Sequence, residues 1–76
     1  MEELVAYLAR ALVDNPDDVS VAVTSTDERD LYELSVASED LGKVIGRQGR
    51  TARALRTMLR AAGTKTGRQS QLDILE

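Results

Sequence analysis

Between Lys43 and Arg68 the chain carries eight lysines and arginines and no aspartate or glutamate. Inside that run stands Gly46-Arg47-Gln48-Gly49, with Arg50 directly after it. These residue types suit the binding of an anion. Glycines have no side chain, so a phosphodiester can approach their backbone closely, and they tolerate positive φ. Arg47 and Arg50 can donate charge-assisted hydrogen bonds to phosphate oxygens. Gln48 is neutral and can also donate. A helix starting after Gly49 would add free amide groups and the positive end of its dipole. Two glycines three apart are a weak pattern alone. The setting strengthens it: the apolar pair Val44-Ile45 precedes the glycines, and a basic helical pattern follows them. Two plainer readings stay open from the residues. The glycines could serve only a tight turn, and the arginines could be a solvated face.

Charge divides the chain sharply. Residues 1–42 hold eleven acidic and two basic residues, although the whole chain has a net charge of only −3. Such asymmetry suggests a polyanion partner for the basic stretch. It is equally compatible with two halves that neutralise each other across the folded surface.

Most other chemistries lack their residues. There is no His and no Cys, which removes the commonest general base and metal ligand, thiolate sites and disulfides. No catalytic set converges, so the chain reads as a non-enzyme with no cofactor and no metal. Lys43 follows Gly42, but no phosphate-loop pattern surrounds it. With no Phe or Trp, the chain lacks the aromatic platform on which many RNA modules stack bases. No apolar run reaches the roughly 20 residues of a membrane span. The acidic start Met1-Glu2-Glu3 does not resemble a secretory signal. The expectation is one small cytoplasmic domain over residues 1–76 with a binding surface rather than an internal site.

The elements that must position the glycines follow from periodicity. Glu2 to about Asp14 predicts a helix, with Leu4, Leu8, Ala11 and Leu12 at helical spacing and Val5 and Tyr7 widening the stripe. Asn15-Pro16 stops it. Val19, Val21 and Val23 alternate with small polar residues, as do Tyr32, Leu34 and Val36. The short polar link between these runs predicts an antiparallel hairpin. Tyr7 and Tyr32 are expected in the core. Ser38 is placed to cap a short helix that ends at Gly46. Arg50 to Ala62 predicts a longer helix, with Ala52, Leu55, Met58, Leu59 and Ala62 on one side and Arg50, Arg53, Arg56 and Arg60 on the other. Gly63 is placed to end it. Thr64 to Arg68 reads as a basic turn, and Gln69 to Leu75 as a last strand. The order α-β-β-α-α-β implies an α+β fold, with a three-stranded mixed sheet and helices packed on one face.

Val44-Ile45-Gly46-Arg47-Gln48-Gly49, followed by a basic amphipathic helix, resembles the V-I-G-x-x-G signature of KH domains. The element order resembles their type II, bacterial arrangement. The match spans essentially the whole chain, and the acidic first helix with the stretch Leu41 to Arg56 is similar to the small bacterial KhpA family of single KH domains. The resemblance implies RNA chaperoning or post-transcriptional control through single-stranded RNA. The G-x-x-G loop would clamp the backbone of about four nucleotides. Carried over to this chain, the RNA-binding set is Lys43, Val44, Ile45, Gly46, Arg47, Gln48, Gly49, Arg50 and Arg53. Val44 and Ile45 would floor a groove, Arg50 and Arg53 would form one wall, and Leu72 and Ile74 the other. The resemblance also implies a homodimer, or pairing with a larger KH-containing protein of the KhpB type. The acidic residues Asp27, Glu28 and Asp30 depart from an ideal RNA binder and leave a rival reading, a protein-interaction scaffold with a KH fold.

Overall fold

The computed structural model describes residues 1–75, and for Thr66 the backbone alone. Helix α1 spans Glu2–Leu12, strand β1 Ser20–Ser25 and strand β2 Arg29–Ser35. A five-residue helix α2, Leu41–Ile45, leads through a 3₁₀ turn at Arg47–Gly49 into the long helix α3, Arg50–Thr66. Strand β3, Gln69–Ile74, follows. The sheet order is β1-β2-β3, with β1 antiparallel and β3 parallel to β2. The α+β class, the element order and the mixed sheet are as the sequence predicts.

Register fixes which side of the sheet is covered. Val21 lies opposite Leu34, Val23 opposite Tyr32, and Tyr32 beside Leu72. Directly paired residues share a face, so these side chains form one apolar surface. The core against it holds Val5, Ala9, Val19, Tyr32, Leu34, Val44, Leu55, Leu59 and Leu72. The alternate positions Ala22, Thr24, Glu33, Gln71 and Asp73 belong to the opposite face, and the helices lie on the apolar one.

Three local expectations are corrected. First, α1 is rotated from the predicted stripe. Val5, Ala6 and Ala9 are buried, whereas Tyr7 is 69% exposed and Leu12 40% exposed. Valine and two alanines let the helix approach β1 closely, and the larger Leu4 and Leu8 turn toward α3, where they line a notch with Leu55 and Met58. Tyr7 is therefore not a core residue, unlike Tyr32. Second, Gly63 does not end α3. The helix runs to Thr66, and Gly67, at φ +74°, closes it. Arg68 N–H donates to the Gly63 carbonyl and Gly67 N–H to that of Thr64, the paired bonds of a Schellman end. Thr64 to Thr66 are thus helix, not turn. Gly63 is small for another reason: a Cβ there would lie 2.5 Å from Ser70 Oγ and 2.9 Å from the Arg68 carbonyl. The chain returns to start β3 across that position. Third, Ser38 makes no capping bond. Residues Ser38–Asp40 form a 3₁₀ turn instead, and Asp40 is the residue that acts there.

Asp40 is 1% exposed. Its carboxylate accepts from Asn15 N–H at 3.0 Å, Asn15 Nδ2 at 2.9 Å and Asp14 N–H at 3.3 Å. Burial alone pushes this carboxyl up, but the Asn15 side chain, the two backbone amides and nearby Lys43 outweigh it and hold it below the ordinary aspartate range. This clasp ties the end of α1 to the start of α2, and so fixes the platform that carries the glycine loop.

Candidate nucleic-acid interface

The loop is built by three backbone conformations that few residues adopt. Gly46 sits at φ +77°, ψ 171° and Gly49 at φ +73°, ψ 14°. Between them Gln48 has φ +57°, the one positive value at a non-glycine residue among those described. A left-handed Gln costs about 1–2 kcal/mol, so surrounding structure holds the loop in this shape. Gly46 N–H donates to the Gly42 carbonyl at 2.8 Å, ending α2, and Gly49 N–H donates to the Gly46 carbonyl at 3.1 Å.

The two glycines differ in their surroundings. A Cβ on Gly46 would strike Thr51, with its Cβ at 2.7 Å and its backbone nitrogen at 2.8 Å. Around Gly49 nothing lies within 4 Å of that position. Gly46 is needed so that the loop can fold back on α3. Gly49 leaves open space beside the first turn of that helix.

One expected source of attraction is smaller than the sequence suggests. The Gly49 and Arg50 amides are already donated to the carbonyls of Gly46 and Arg47. An anion here would meet chiefly the dipole of a 17-residue helix and the guanidinium groups. Arg47, Gln48, Arg50 and Arg53 are exposed, and Ile45 is half-buried. Val44 is wholly buried in the core cluster, so it lies under the loop rather than on the surface. Lys43 is ion-paired with Asp14 and lies 3.7 Å from Asp40. Asp14 raises its pKa through a hydrogen bond.

The ion pairs decide how the charge asymmetry is used. Of the eight cations from Lys43 to Arg68, two form ion pairs among the described residues: Lys43 as above, and Arg68 with Asp30. The Arg68 guanidinium grips Asp30 with Nη2–Oδ1 at 2.8 Å and Nε–Oδ2 at 3.0 Å, and donates to the carbonyls of Thr26 and Asp27. It holds Asp30 below the ordinary carboxylate range, with Ser25 assisting. The acidic hairpin tip is thereby tied to the start of β3, where Gln69 N–H donates to the Glu28 carbonyl. That is the far end of α3 from the glycine loop, about 25 Å along a helix of this length. Arg47, Arg50, Arg53 and Arg60 form no ion pair among the described residues, so most of the basic run is not paired off against the acidic half. The hairpin acids do not flank the loop.

Sequence reasoning missed two participants. Asp40 was legible only as a helix-start acid, and Arg56 only as part of a basic face. Arg56 Nε donates to the Leu72 carbonyl at 3.2 Å, which ties α3 to β3, whereas the Leu72 side chain itself is buried in the core and does not form a groove wall. No signal in the sequence pairs residues 16 positions apart across a helix and a strand.

A family model described as KhpA/KhpB, KH domain matches residues 2–74. The chain belongs to that family. Among its KhpA relatives, the RNA-binding protein KhpA of Listeria monocytogenes (serovar 1/2a) is 46% identical over 76 residues, covering all of both chains. That of Halalkalibacterium halodurans is 51% identical over 76 residues, again covering both fully. That of Bacillus subtilis (strain 168) is 43% identical over 76 residues, all of this chain and 94% of the relative. The KhpA likeness therefore covers the glycine loop and its platform together. No helix among the described residues is long and apolar enough to cross a membrane.

Proposed function

We propose that this chain binds single-stranded RNA without catalysis, gripping the sugar-phosphate backbone at Gly46-Arg47-Gln48-Gly49. The observation that carries this reading is the distribution of free charge. Arg47, Arg50 and Arg53, at and just after the loop, form no ion pair among the described residues, while Lys43 and Arg68 are taken up by Asp14 and Asp30. The relatives' name, RNA-binding protein KhpA, supports RNA as the polyanion.

In this reading Arg47, Gln48 and Arg50 meet the phosphates, and the bare space at Gly49 admits the strand. Ile45 offers apolar surface to a base, and Arg53 lines the wall. Lys43 and Val44 act indirectly: one is held by acids and the other packs beneath the loop. A groove for about four nucleotides gives little selectivity, so useful affinity calls for a second module. We infer self-association as its source. Leu4, Tyr7 and Met58 are exposed by 38%, 69% and 47%, and the notch they adjoin between α1 and α3 is apolar. The shared KhpA/KhpB family description makes a larger KH protein the other partner to test.

The experiment is a fluorescence-anisotropy titration of single-stranded RNA with the wild type and with an Arg47→Asp/Gln48→Asp double variant. Aspartate tolerates positive φ better than most residues, so the loop should keep its shape, which circular dichroism checks. The expected result is loss of binding with the fold intact. With about three phosphates neutralised, the wild-type plot of log K against log salt should slope near −2. Equal binding by both proteins would remove the clamp.

A further inference from the structure

The sheet has two edges, and they are finished differently. At the β3 edge, Asp73 adds a charge and the Arg56 guanidinium lies on the Leu72 carbonyl. Charge and cover of this kind keep an edge from pairing with another chain. The β1 edge has neither. From Val19 to Ser25 the chain carries no charged residue and no proline. Thr26 N–H donates to the Arg29 carbonyl, and the Leu34 carbonyl accepts from Leu75 on the β3 side. Thr24 lies opposite Leu31 and Val21 opposite Leu34. By alternation, the backbone groups of Ser20, Ala22 and Thr24 point at β2, and those of Val21, Val23 and Ser25 point at the open edge.

That edge is bordered by space and by acid. On α1, Leu4 and Leu8 turn toward α3, whereas Ala6 and Arg10 lie on the other flank and line a hollow of about 460 Å³ with Val19 and Val21. Glu2 and Glu3 also line it and outnumber Arg10. A strand added beside β1 would drop alternate side chains into this hollow, next to the exposed Val23. Asp17 and Asp18 stand before β1, and Asp27 and Glu28 after it. All four are exposed and form no ion pair among the described residues. Arg29 reaches the other way, to Gln69 Oε1 on β3, and Arg68 is committed to Asp30. These acids decide the occupant. In the antiparallel register that sets Val21 opposite Val23 of a second copy, Asp17 would face Asp27 at both ends, and like charges directly opposite are destabilising. A nucleic-acid backbone would be repelled in the same way.

We propose that the β1 edge takes up an extended segment of another protein as a fourth strand, one with apolar residues at alternate positions and lysine or arginine at both ends. Main-chain bonds to Val21, Val23 and Ser25 supply the attachment, and the apolar side chains enter the hollow beside α1. The terminal cations meet Asp17 and Asp18 at one end and Asp27 and Glu28 at the other. Nine extended residues span about 30 Å, enough to overlie β1 and reach both ends. The glycine loop, between α2 and α3, takes no part in this edge, so the site does not depend on the clamp.

The test is a fluorescence-anisotropy titration of the labelled nonapeptide Lys-Lys-Val-Thr-Val-Thr-Val-Lys-Lys, with amide hydrogen exchange of the complex followed by NMR. The expected result is saturable binding that slows exchange most at Val21, Val23 and Ser25, because Ala22 and Thr24 already donate to β2. Val23→Pro removes an outward N–H and no β1–β2 bond, and should abolish binding. Asp17→Asn/Asp27→Asn changes only exposed side chains, so it keeps the fold. It should raise Kd about two- to thirtyfold, the effect of two exposed ion pairs. Arg47→Asp/Gln48→Asp should bind the peptide as the wild type does. No saturation up to about 1 mM peptide, the weak end of specific affinities, would overturn the proposal. So would binding without protection of those three amides, or an unchanged Kd in Asp17→Asn/Asp27→Asn. Protection of the same amides that grows with protein concentration in the absence of peptide would give the edge to a second copy and also overturn it.

Discussion

The two glycines of the loop should respond very differently to the same substitution. Gly46→Ala meets two costs. Its φ +77°, ψ 171° lies in a region that is essentially glycine-only, costing about 1–3 kcal/mol for another residue. Its new methyl would also press on Thr51, whose Cβ and backbone nitrogen stand 2.7 and 2.8 Å away, and such overpacking costs about 1–3 kcal/mol. Alanine recovers about 0.4–1 kcal/mol by restricting the unfolded chain. The net loss is roughly 2–5 kcal/mol, out of about 4–11 kcal/mol for a domain of this length. Gly49→Ala meets the left-handed penalty alone, about 1–2 kcal/mol, because open space receives its methyl. Urea denaturation followed by circular dichroism gives both values. The melting temperature should fall by about 4–8 °C per kcal/mol, so at a given slope the fall for Gly46→Ala should be about twice that for Gly49→Ala. Adding Thr51→Ala to Gly46→Ala removes the nearest atom, Thr51 Oγ1, but leaves the Cβ and the backbone nitrogen, and should restore only part of the loss. Equal destabilisation by the two single variants would mean that backbone conformation alone sets the requirement for glycine, and that the contact with Thr51 contributes nothing.

Two further outcomes follow from the ion pairs and the exposed apolar residues. Asp30 and Asp40 are both held below the ordinary aspartate value of about 3.9, so the unfolded chain binds protons first as pH falls. Their stabilisation is complete above that value and is lost as pH drops through the lower folded values. The urea midpoint should be flat from pH 7 to 5 and fall below about 4, with a shallower fall in Asp30→Asn; a midpoint unchanged down to pH 2.5 would contradict the clasp. Sedimentation equilibrium should detect self-association of the wild type and its loss in Met58→Asp, which places a charge beside the α1–α3 notch. A wild type that stays monomeric at every concentration would discard that surface.

Much of this molecule is dictated locally. The alternation at Tyr32, Leu34 and Leu72 fixes which side of each strand is apolar, because strand side chains repeat every two residues. Asn15-Pro16 and the glycines bound their helices, because they act through their own backbone torsions. The loop Gly46-Arg47-Gln48-Gly49 and its acid-free surroundings are written in contiguous residues, so the candidate site and the family resemblance were legible.

Other features depend on residues that meet only after folding. The face of α1 was misplaced because Leu4, Leu8 and Leu12 make as good a stripe as Val5 and Ala9, and only close approach to β1 favours the small side chains. Gly63 looked like a helix end, since nothing in its neighbourhood reveals Ser70 lying across it. The two glycines of the loop are identical in sequence, and only the position of Thr51 separates a steric requirement from a conformational one. That a basic segment surrounds a glycine loop follows from residue order alone. Tertiary structure decided which cations remain available, because Asp14 and Asp30, 29 and 38 residues away from their partners, remove Lys43 and Arg68 from the free set. Charge counts along a chain are local, whereas pairing is a matter of distance in space, and the fold sets those distances.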